Sequence, residues 1–190
     1  MTHAARETEI KLAVPDVRTA RGLLRAAGFR VSKRRVFETN TVFDTPELGL
    51  RRAATLLRVR QAGGVATVTY KGKPDVGRHK SREELELEIS DTRVMGAIIE
   101  RLGLGAVFRY DKYRTEYRQP RRAGLATLDE TPAGVYLELE GTPNWIDRAA
   151  RKLGFAEDDY ITASYARLWL DWCEWRGLGA VDMVFSDLVR

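Results

Sequence analysis

Cysteine is almost absent from this chain. Cys173 is the one thiol in 190 residues, so no intrachain disulfide and no cysteine zinc site can form, and a reducing compartment is expected. Set among Trp169, Trp172 and Trp175, it reads as a small buried side chain, with the tryptophans packing their helix on the rest of the fold. Histidine is nearly as scarce. His3 and His79 are read as solvated residues, one terminal and one in a loop, instead of ligands. No apolar run is long enough to cross a bilayer, and the first residues lack the hydrophobic stretch of a secretory signal, so a cytoplasmic protein with no membrane partner is expected. Long linkers, low-complexity tracts and domain-sized repeats are missing as well. One domain over residues 1–190 accounts for the chain, which is long enough to bury its own core.

Charge is plentiful: 32 Lys and Arg stand against 27 Asp and Glu, a net charge of +5. The excess points to an anionic partner without choosing among nucleic acid, nucleotide and phosphate. Placement chooses. Aromatic residues are not interleaved with the basic strands as a single-strand-binding sheet would need, so no nucleic-acid partner is expected.

Near the start, Glu7, Glu9 and Lys11 alternate with Thr8, Ile10 and Leu12, so in a strand all three charges leave by one face. Carboxylates two residues apart lie about 7 Å from each other and repel by roughly 2 kcal/mol at an effective dielectric of about 20, so a cation must offset them. A divalent metal and a polyanion are the ligands this face suggests. The pattern recurs along the chain. Residues 37–44 carry Glu38, Asn40, Val42 and Asp44 on one side, and residues 56–61 carry Arg58 and Arg60 opposite Leu57 and Val59. Gly63-Gly64 is a hairpin signal that returns the chain as residues 65–71, with Thr67, Thr69 and Lys71 on one face. Residues 72–80 have the composition of a mobile, basic loop. Residues 81–89 then place Arg82, Glu84, Glu86 and Glu88 opposite Leu85, Leu87 and Ile89. Residues 108–118 place Lys112, Arg114, Glu116 and Arg118 on one side. Residues 124–129 and 135–140 complete the set with Asp129, Glu138 and Glu140. Glu88 and Glu116, at strand ends, are read as surface ion-pair residues.

Helices are expected between and after these strands. Asp16 caps one with Val17, Ala20, Leu23, Leu24 and Ala27 inward, and Gly28 ends it. Asp91 caps a second with Val94, Met95, Ile98, Ile99 and Leu102 buried. Thr142-Pro143 opens a third to about Leu153, and Ser164 a fourth through Trp175, followed by a tail whose Val181, Met183, Val184, Phe185, Leu188 and Val189 pack on the domain. About eight strands with one charged and one apolar face can form an ordinary sheet with a solvated outer side, or a closed barrel turned inside out. Recurrence of the charged face, with Glu-x-Glu three times, favours the barrel. The expected fold is thus β-rich α+β: an eight-stranded antiparallel closed barrel with a charged lumen, its apolar exterior covered by amphipathic helices.

In order and approximate spacing, Glu7-x-Glu9-x-Lys11, Leu57-Arg58-x-Arg60, Thr69-x-Lys71, Arg82-x-Glu84-x-Glu86, Lys112-x-Arg114, Asp129 and Glu138-x-Glu140 resemble the signature of the CYTH superfamily, the triphosphate tunnel metalloenzymes. The segment from Asn40 to Thr45 and the pair Ser164-Tyr165 are similar to two further landmarks of that family, and Tyr165 is a secondary site candidate. The resemblance implies a tunnel that binds a triphosphate and requires Mg²⁺ or Mn²⁺. It implies metal binding by Glu7, Glu9, Glu138 and Glu140, with Asp129 and Glu84 or Glu86 nearby. Phosphate oxygens would be clamped by Lys11, Arg58, Arg60, Lys71, Arg82, Lys112 and Arg114. Glu7, Glu9, Glu84, Glu86 and Asp129 form the implied catalytic set. The implied activity is hydrolysis of tripolyphosphate, thiamine triphosphate or a related triphosphate at the terminal phosphoryl group by metal-activated water. The alternatives are a class IV adenylyl cyclase acting on ATP and a noncatalytic nucleotide or polyphosphate-binding module. A homodimer is compatible with the basic domain and its apolar tail.

Overall fold

The structure, a computed structural model, describes residues 3–179 and 182–185. Val181, Leu188 and Val189, expected to pack on the domain, lie outside the described residues. Eight strands are interspersed with helices, beginning β1 (His3–Val14), α1 (Val17–Ala26), β2 (Arg30–Asp44), α2 (Gly49–Arg52), β3 (Leu56–Ala62), β4 (Val65–Lys71) and β5 (Lys80–Ile89). There follow α3 (Thr92–Arg101), β6 (Gly105–Arg118), β7 (Leu125–Thr131), β8 (Gly134–Glu140), α4 (Pro143–Lys152), a 3₁₀ turn (Glu157–Asp159) and α5 (Tyr165–Arg176). The strands close in the order β1-β5-β4-β3-β2-β6-β7-β8, every pairing antiparallel. Closure pairs the strand edges that a domain this rich in strands would otherwise leave open.

Local chemistry builds the elements as their residues require. At Gly63 and Gly64 the backbone has φ of +54° and +88°, the left-handed pair that a tight β3–β4 hairpin needs and that glycine adopts without steric cost. Asp16 accepts from Thr19 N at 2.7 Å, Asp91 from Arg93 N at 2.7 Å, and Ser164 from Arg167 N at 3.2 Å, each capping the helix that follows. Outside the barrel, Ile10, Leu12, Leu128, Leu137 and Leu139 are buried under α1 and α4 with Leu24, Ile146 and Leu153. Each such side chain contributes about 1.5–3 kcal/mol of transfer free energy relative to exposure. A second patch of the wall, Phe43, Val59 and Val68, is covered by Met95 and Ile99 of α3.

Four expectations need correcting. Val94, Ile98 and Leu102 are not buried: their exposures are 58%, 49% and 74%, because only the Met95 and Ile99 side of α3 meets the barrel. Trp175, at 77% exposure, lies on the outer side of α5 and does not pack on the barrel. Residue 80 belongs to β5, and the preceding segment continues the hairpin through Gly72 N to Glu83 O (2.9 Å) and Asp75 N to Ser81 O (2.8 Å). His79 is buried, with Nε2 2.8 Å from Asp147 Oδ1 and its ring against Tyr160. It fastens this segment to α4. A fifth difference is one of extent, since β2 starts at Arg30 and not near residue 37.

Candidate active site

Strand parity aims the charges inward. Glu7, Glu9 and Lys11 share the inner side of β1, while Ile10, Leu12 and Val14 on the outer side join the helix-covered core. Pairing then sets neighbours. Glu7 is opposite Arg82, Glu9 opposite both Lys80 and Glu140, and Lys11 opposite Glu138. Val42 faces Arg58, Arg58 faces Thr69, Thr69 faces Glu86, and Lys71 faces Glu84. All fourteen residues expected in the site are therefore carried on one continuous inner wall.

Within that wall the charges form linked groups. Lys71 Nζ is 2.6 Å from Glu7 Oε2 and 3.0 Å from Glu84 Oε2, and Arg82 Nε is 3.5 Å from the same Glu7 oxygen. Lys11 Nζ is 3.4 Å from Glu9 and 3.3 Å from Glu138, and Lys80 Nζ is 3.4 Å from Glu9. Asp129, fully buried, accepts from Arg114 Nε at 2.7 Å, Lys112 Nζ at 2.9 Å and the Tyr165 hydroxyl at 2.7 Å, while Arg114 also meets Glu138. On the remaining side, Arg58 donates to Tyr110 Oη (3.2 Å) and Thr69 Oγ1 (3.3 Å), and Arg60 pairs with Glu86 at 3.2 Å. Buried pairs of this kind lose about 3–5 kcal/mol when one partner is removed, because the other is left as an uncompensated charge.

The electrostatics separate the carboxylates. Burial and the Glu9 charge raise Glu7, with Lys71 opposing them. Burial also pushes Glu9 up, but Lys11 and Lys80 hold it down at about 2. Arg114 and Lys11 likewise hold Glu138 far below the usual carboxylate range in spite of its burial. Glu140 behaves differently. It sits exposed at the rim, makes no ion pair within 4 Å among the described residues, and is pushed up to about 7 by the protein around it and by Glu7. Burial and Lys11 lower Lys80 to about 8.

One end of the barrel is closed by α5. Tyr165, Trp169 and Cys173 are buried against Tyr110 and Tyr136, two inward-facing residues of β6 and β8. The flanking chain is stitched into the wall: Ile161 bridges Lys11 of β1, and Met183 bridges Tyr110 of β6. Next to this plug a cavity of about 570 Å³ has apolar walls that include Val42, Leu56, Phe108 and Leu170, and it touches Lys80 and Arg82.

Sequence reading passed over Lys80, Glu38 and Tyr110. Lys80 has the parity of Arg82 and Glu84, but the Gly and Pro residues before it marked the end of a loop. Glu38, buried 3.6 Å from Lys112 Nζ, has the parity of Asn40, and only its place opposite Lys112 in the register shows its use. Tyr110 was read as part of a strand, with no sign that its hydroxyl would meet Arg58.

Residues 5–165 match the family model of the CYTH domain. The chain belongs to the CYTH family. A Methanocaldococcus jannaschii protein named as a candidate adenylate cyclase is 29% identical over 173 residues, which cover 85% of this chain and 97% of that protein. A solved Pyrococcus horikoshii structure superposes with a TM-score of 0.73 at 25% identity, covering 85% of this chain and 98% of its own. A Hippeastrum protein, described as a candidate adenylyl cyclase with a dominant triphosphatase activity, superposes at 0.63 with 20% identity over 92% of this chain and 97% of its own, a likeness of fold.

A divalent cation fits the CYTH wall by donor chemistry. Glu7, Glu9, Glu138 and Glu140 offer the hard oxygen ligands that Mg²⁺ and Mn²⁺ take, and among the described residues no cation lies within ion-pair distance of Glu140. Among the described residues no three acidic, histidine or cysteine side chains converge to metal-ligand spacing, because Lys11 and Lys71 stand between the carboxylates.

Proposed function

We propose that this CYTH protein is a divalent-metal-dependent hydrolase of inorganic or organic triphosphates. The observation that carries the reading is the two-sided tunnel wall, in which Lys71 and Lys11 neutralise carboxylates until a substrate competes for them. A triphosphate brings several negative charges into this lumen, so it draws the lysines and arginines onto its oxygens and releases Glu7, Glu9 and Glu138 from their ion pairs. Those carboxylates, with Glu140, would then hold Mg²⁺ or Mn²⁺. The ion supplies Lewis-acid charge and a bound water of lowered pKa.

The protein's own groups do the rest. Among the described residues Arg58 Nε is a buried donor without a hydrogen-bond partner, and Arg82 Nε has only its 3.5 Å ion pair with Glu7, so both would turn to phosphate oxygens. Arg58, Arg60, Arg82 and Arg114 stabilise charge that develops on the transferred phosphoryl group, and arginine forks fix its orientation. Asp129 is saturated by Arg114, Lys112 and Tyr165, so its role is to hold those two cations in place and not to take a proton. Of the carboxylates outside the metal set, Glu84 or Glu86 would accept the proton of the attacking water, and the 3.0 Å contact of Glu84 with Lys71 supports Glu84.

The cavity beside α5 favours a second reading within the same cradle. Its apolar walls next to Lys80 and Arg82 would accept the organic part of thiamine triphosphate or ATP. With ATP, attack of the ribose hydroxyl on the α-phosphorus gives cyclic AMP and pyrophosphate. The dominant triphosphatase activity described for the Hippeastrum relative supports hydrolysis, and the name of the Methanocaldococcus jannaschii relative supports cyclisation. Incubation with tripolyphosphate, thiamine triphosphate and ATP, each with Mg²⁺, Mn²⁺ or EDTA, separates them. Metal-dependent release of orthophosphate is expected. Cyclic AMP as the main product from ATP would replace hydrolysis by cyclisation, and tight binding without turnover of any of the three would make the tunnel a binding module.

A further inference from the structure

A groove of about 390 Å³ lies on the outer surface, remote from the lumen, between α1 and the ribbon formed by β2 and β6. Arg21 and Arg25 of α1 line one side and Arg34 and Arg35 of β2 the other, over a floor that includes Phe29 and Tyr117. Among the described residues no carboxylate lines it. Thr115 and Tyr117 leave β6 on the side opposite Lys112 and Arg114, so the barrel wall separates the groove from the tunnel.

The groove is built, not merely basic. Consecutive strand residues normally point to opposite faces, yet Arg34 and Arg35 both reach it. The reason is a register shift between Lys33 and Val36 where β2 pairs with β6, which turns the second arginine to the same side. Arg35 is fixed by a fork on Glu130, at 2.8 and 2.9 Å, and by stacking over the Tyr113 ring at 3.4 Å. Gln119 Nε2 donates to Ala27 O at 2.8 Å and anchors the end of α1 against β6, while Phe29 and Tyr117 belong to the main core. Among the described residues Arg21, Arg25 and Arg34 make no ion pair within 4 Å, and like charges at i and i+4 on a helix cost a few tenths of a kcal/mol. Thr115, 4% exposed, lines the same groove with a hydroxyl that has no hydrogen-bond partner. Neither the barrel's closure nor its core calls for this arrangement.

We infer that the groove between α1 and the β2–β6 ribbon is a second anion site, separate from the tunnel, that takes a small phosphate-bearing anion of pyrophosphate to nucleotide size. Arginine supplies the planar, bidentate donors that phosphate oxygens fit, and the volume suits a ligand of that size. With Phe29 and Tyr117 buried, no aromatic face is offered for base stacking, which sets the groove apart from a nucleic-acid track.

Calorimetric titration with inorganic pyrophosphate in EDTA tests the site. In the tunnel variant R58Q/K112Q, uptake with a stoichiometry of one is expected to remain. Adding R21Q/R25Q is expected to weaken that uptake at least tenfold, and R21K/R25K to recover part of it. R21Q/R25Q alone removes repelling surface charges, so it should fold with an unchanged melting temperature. Absence of pyrophosphate uptake in folded R58Q/K112Q would overturn the proposal; in the otherwise unaltered protein R21Q/R25Q is expected to remove one equivalent of bound pyrophosphate, and an unchanged stoichiometry there would overturn it equally. Neither result bears on turnover in the tunnel, which the substrate panel reads separately.

Discussion

Tyr165, the first residue of α5, donates its hydroxyl to Asp129 Oδ2 at 2.7 Å, and so ties the plug of the barrel to the fully buried carboxylate that also holds Arg114 and Lys112. Two substitutions separate the strands of this knot. Tyr165→Phe deletes one donor and leaves Asp129 its cations, so a loss of about 1 kcal/mol is expected. Asp129→Asn removes the charge that Arg114 and Lys112 share, leaving both in a buried site, and a loss of about 3–5 kcal/mol is expected. Urea unfolding measures each. Equal losses would mean that Asp129 does not organise the cations.

Glu140 gives the metal-free protein a pH dependence of definite sign. Its pKa of about 7 in the folded chain exceeds the ordinary 4.5, so between those values the folded state binds more protons than the unfolded state. Stability contributed by this residue is therefore complete below about pH 4.5 and falls as pH rises toward 7. Water at the rim screens the effect to on the order of 1 kcal/mol or less. Glu140→Gln is expected to be the more stable protein at pH 8 in EDTA and to match the parent near pH 4.5. Mg²⁺ should close the gap at pH 8. A parent-minus-variant difference that is constant across the range would refute the raised pKa of Glu140, and a gap at pH 8 that Mg²⁺ leaves open would remove Glu140 from the metal set.

How much of this was legible in sequence depends on how each charge is spaced. Period-two alternation reveals β1, β3, β5 and β8, because a wrong register would bury Glu9 outside and expose Leu12, and the core does not permit that. The first half of β2 carries consecutive exposed residues from Arg30 to Arg35 with two register shifts, so it has no period to read. The four-residue α2 is too short for one. α5 is apolar on several sides, which marked it as a helix but concealed that Trp169 and Cys173 seal the barrel while Trp175 faces out. Lys80 and His79 follow Gly77 in a segment of loop composition, and only the three-dimensional pairing of Lys80 with Glu9, and of His79 with Asp147, shows that both are buried.

Lys80 stands beside both the tunnel and the apolar cavity, where burial and Lys11 lower it to about 8. Lys80→Met keeps the aliphatic stem and deletes the charge. Its expected effect is a rise of about tenfold in KM for tripolyphosphate, since each lost charge-assisted hydrogen bond weakens binding by about 1.5 kcal/mol, with a smaller change in kcat. In the parent, KM should climb as pH passes 8 and the ammonium loses its proton. The variant's KM should not follow that climb. An identical pH profile in both would exclude Lys80 from the phosphate clamp.

The pair at the start of the tunnel distinguishes metal holding from phosphate clamping. Lys71 touches both Glu7 and Glu84, and Glu7 touches both Lys71 and Arg82, so each retains one partner when the other is replaced. Glu7→Gln leaves Arg82, and Lys71→Met leaves Glu84, without an ion pair among the described residues, so each costs stability and the kinetics are read on protein that circular dichroism shows to be folded. Their kinetic defects should differ in kind. Loss of Glu7 weakens the carboxylate wall, so turnover is expected to fall on the order of 100-fold and the Mg²⁺ concentration for half-maximal rate to rise. Loss of Lys71 removes a phosphate donor and leaves that wall whole, so KM for tripolyphosphate is expected to rise while the Mg²⁺ requirement stays where it was. Steady-state rates over a grid of metal and substrate concentrations resolve the two. If Glu7→Gln turns over at the parental rate, the carboxylates of β1 do not carry the metal, and the excess charge of this strand serves only to place Lys11 and Lys71.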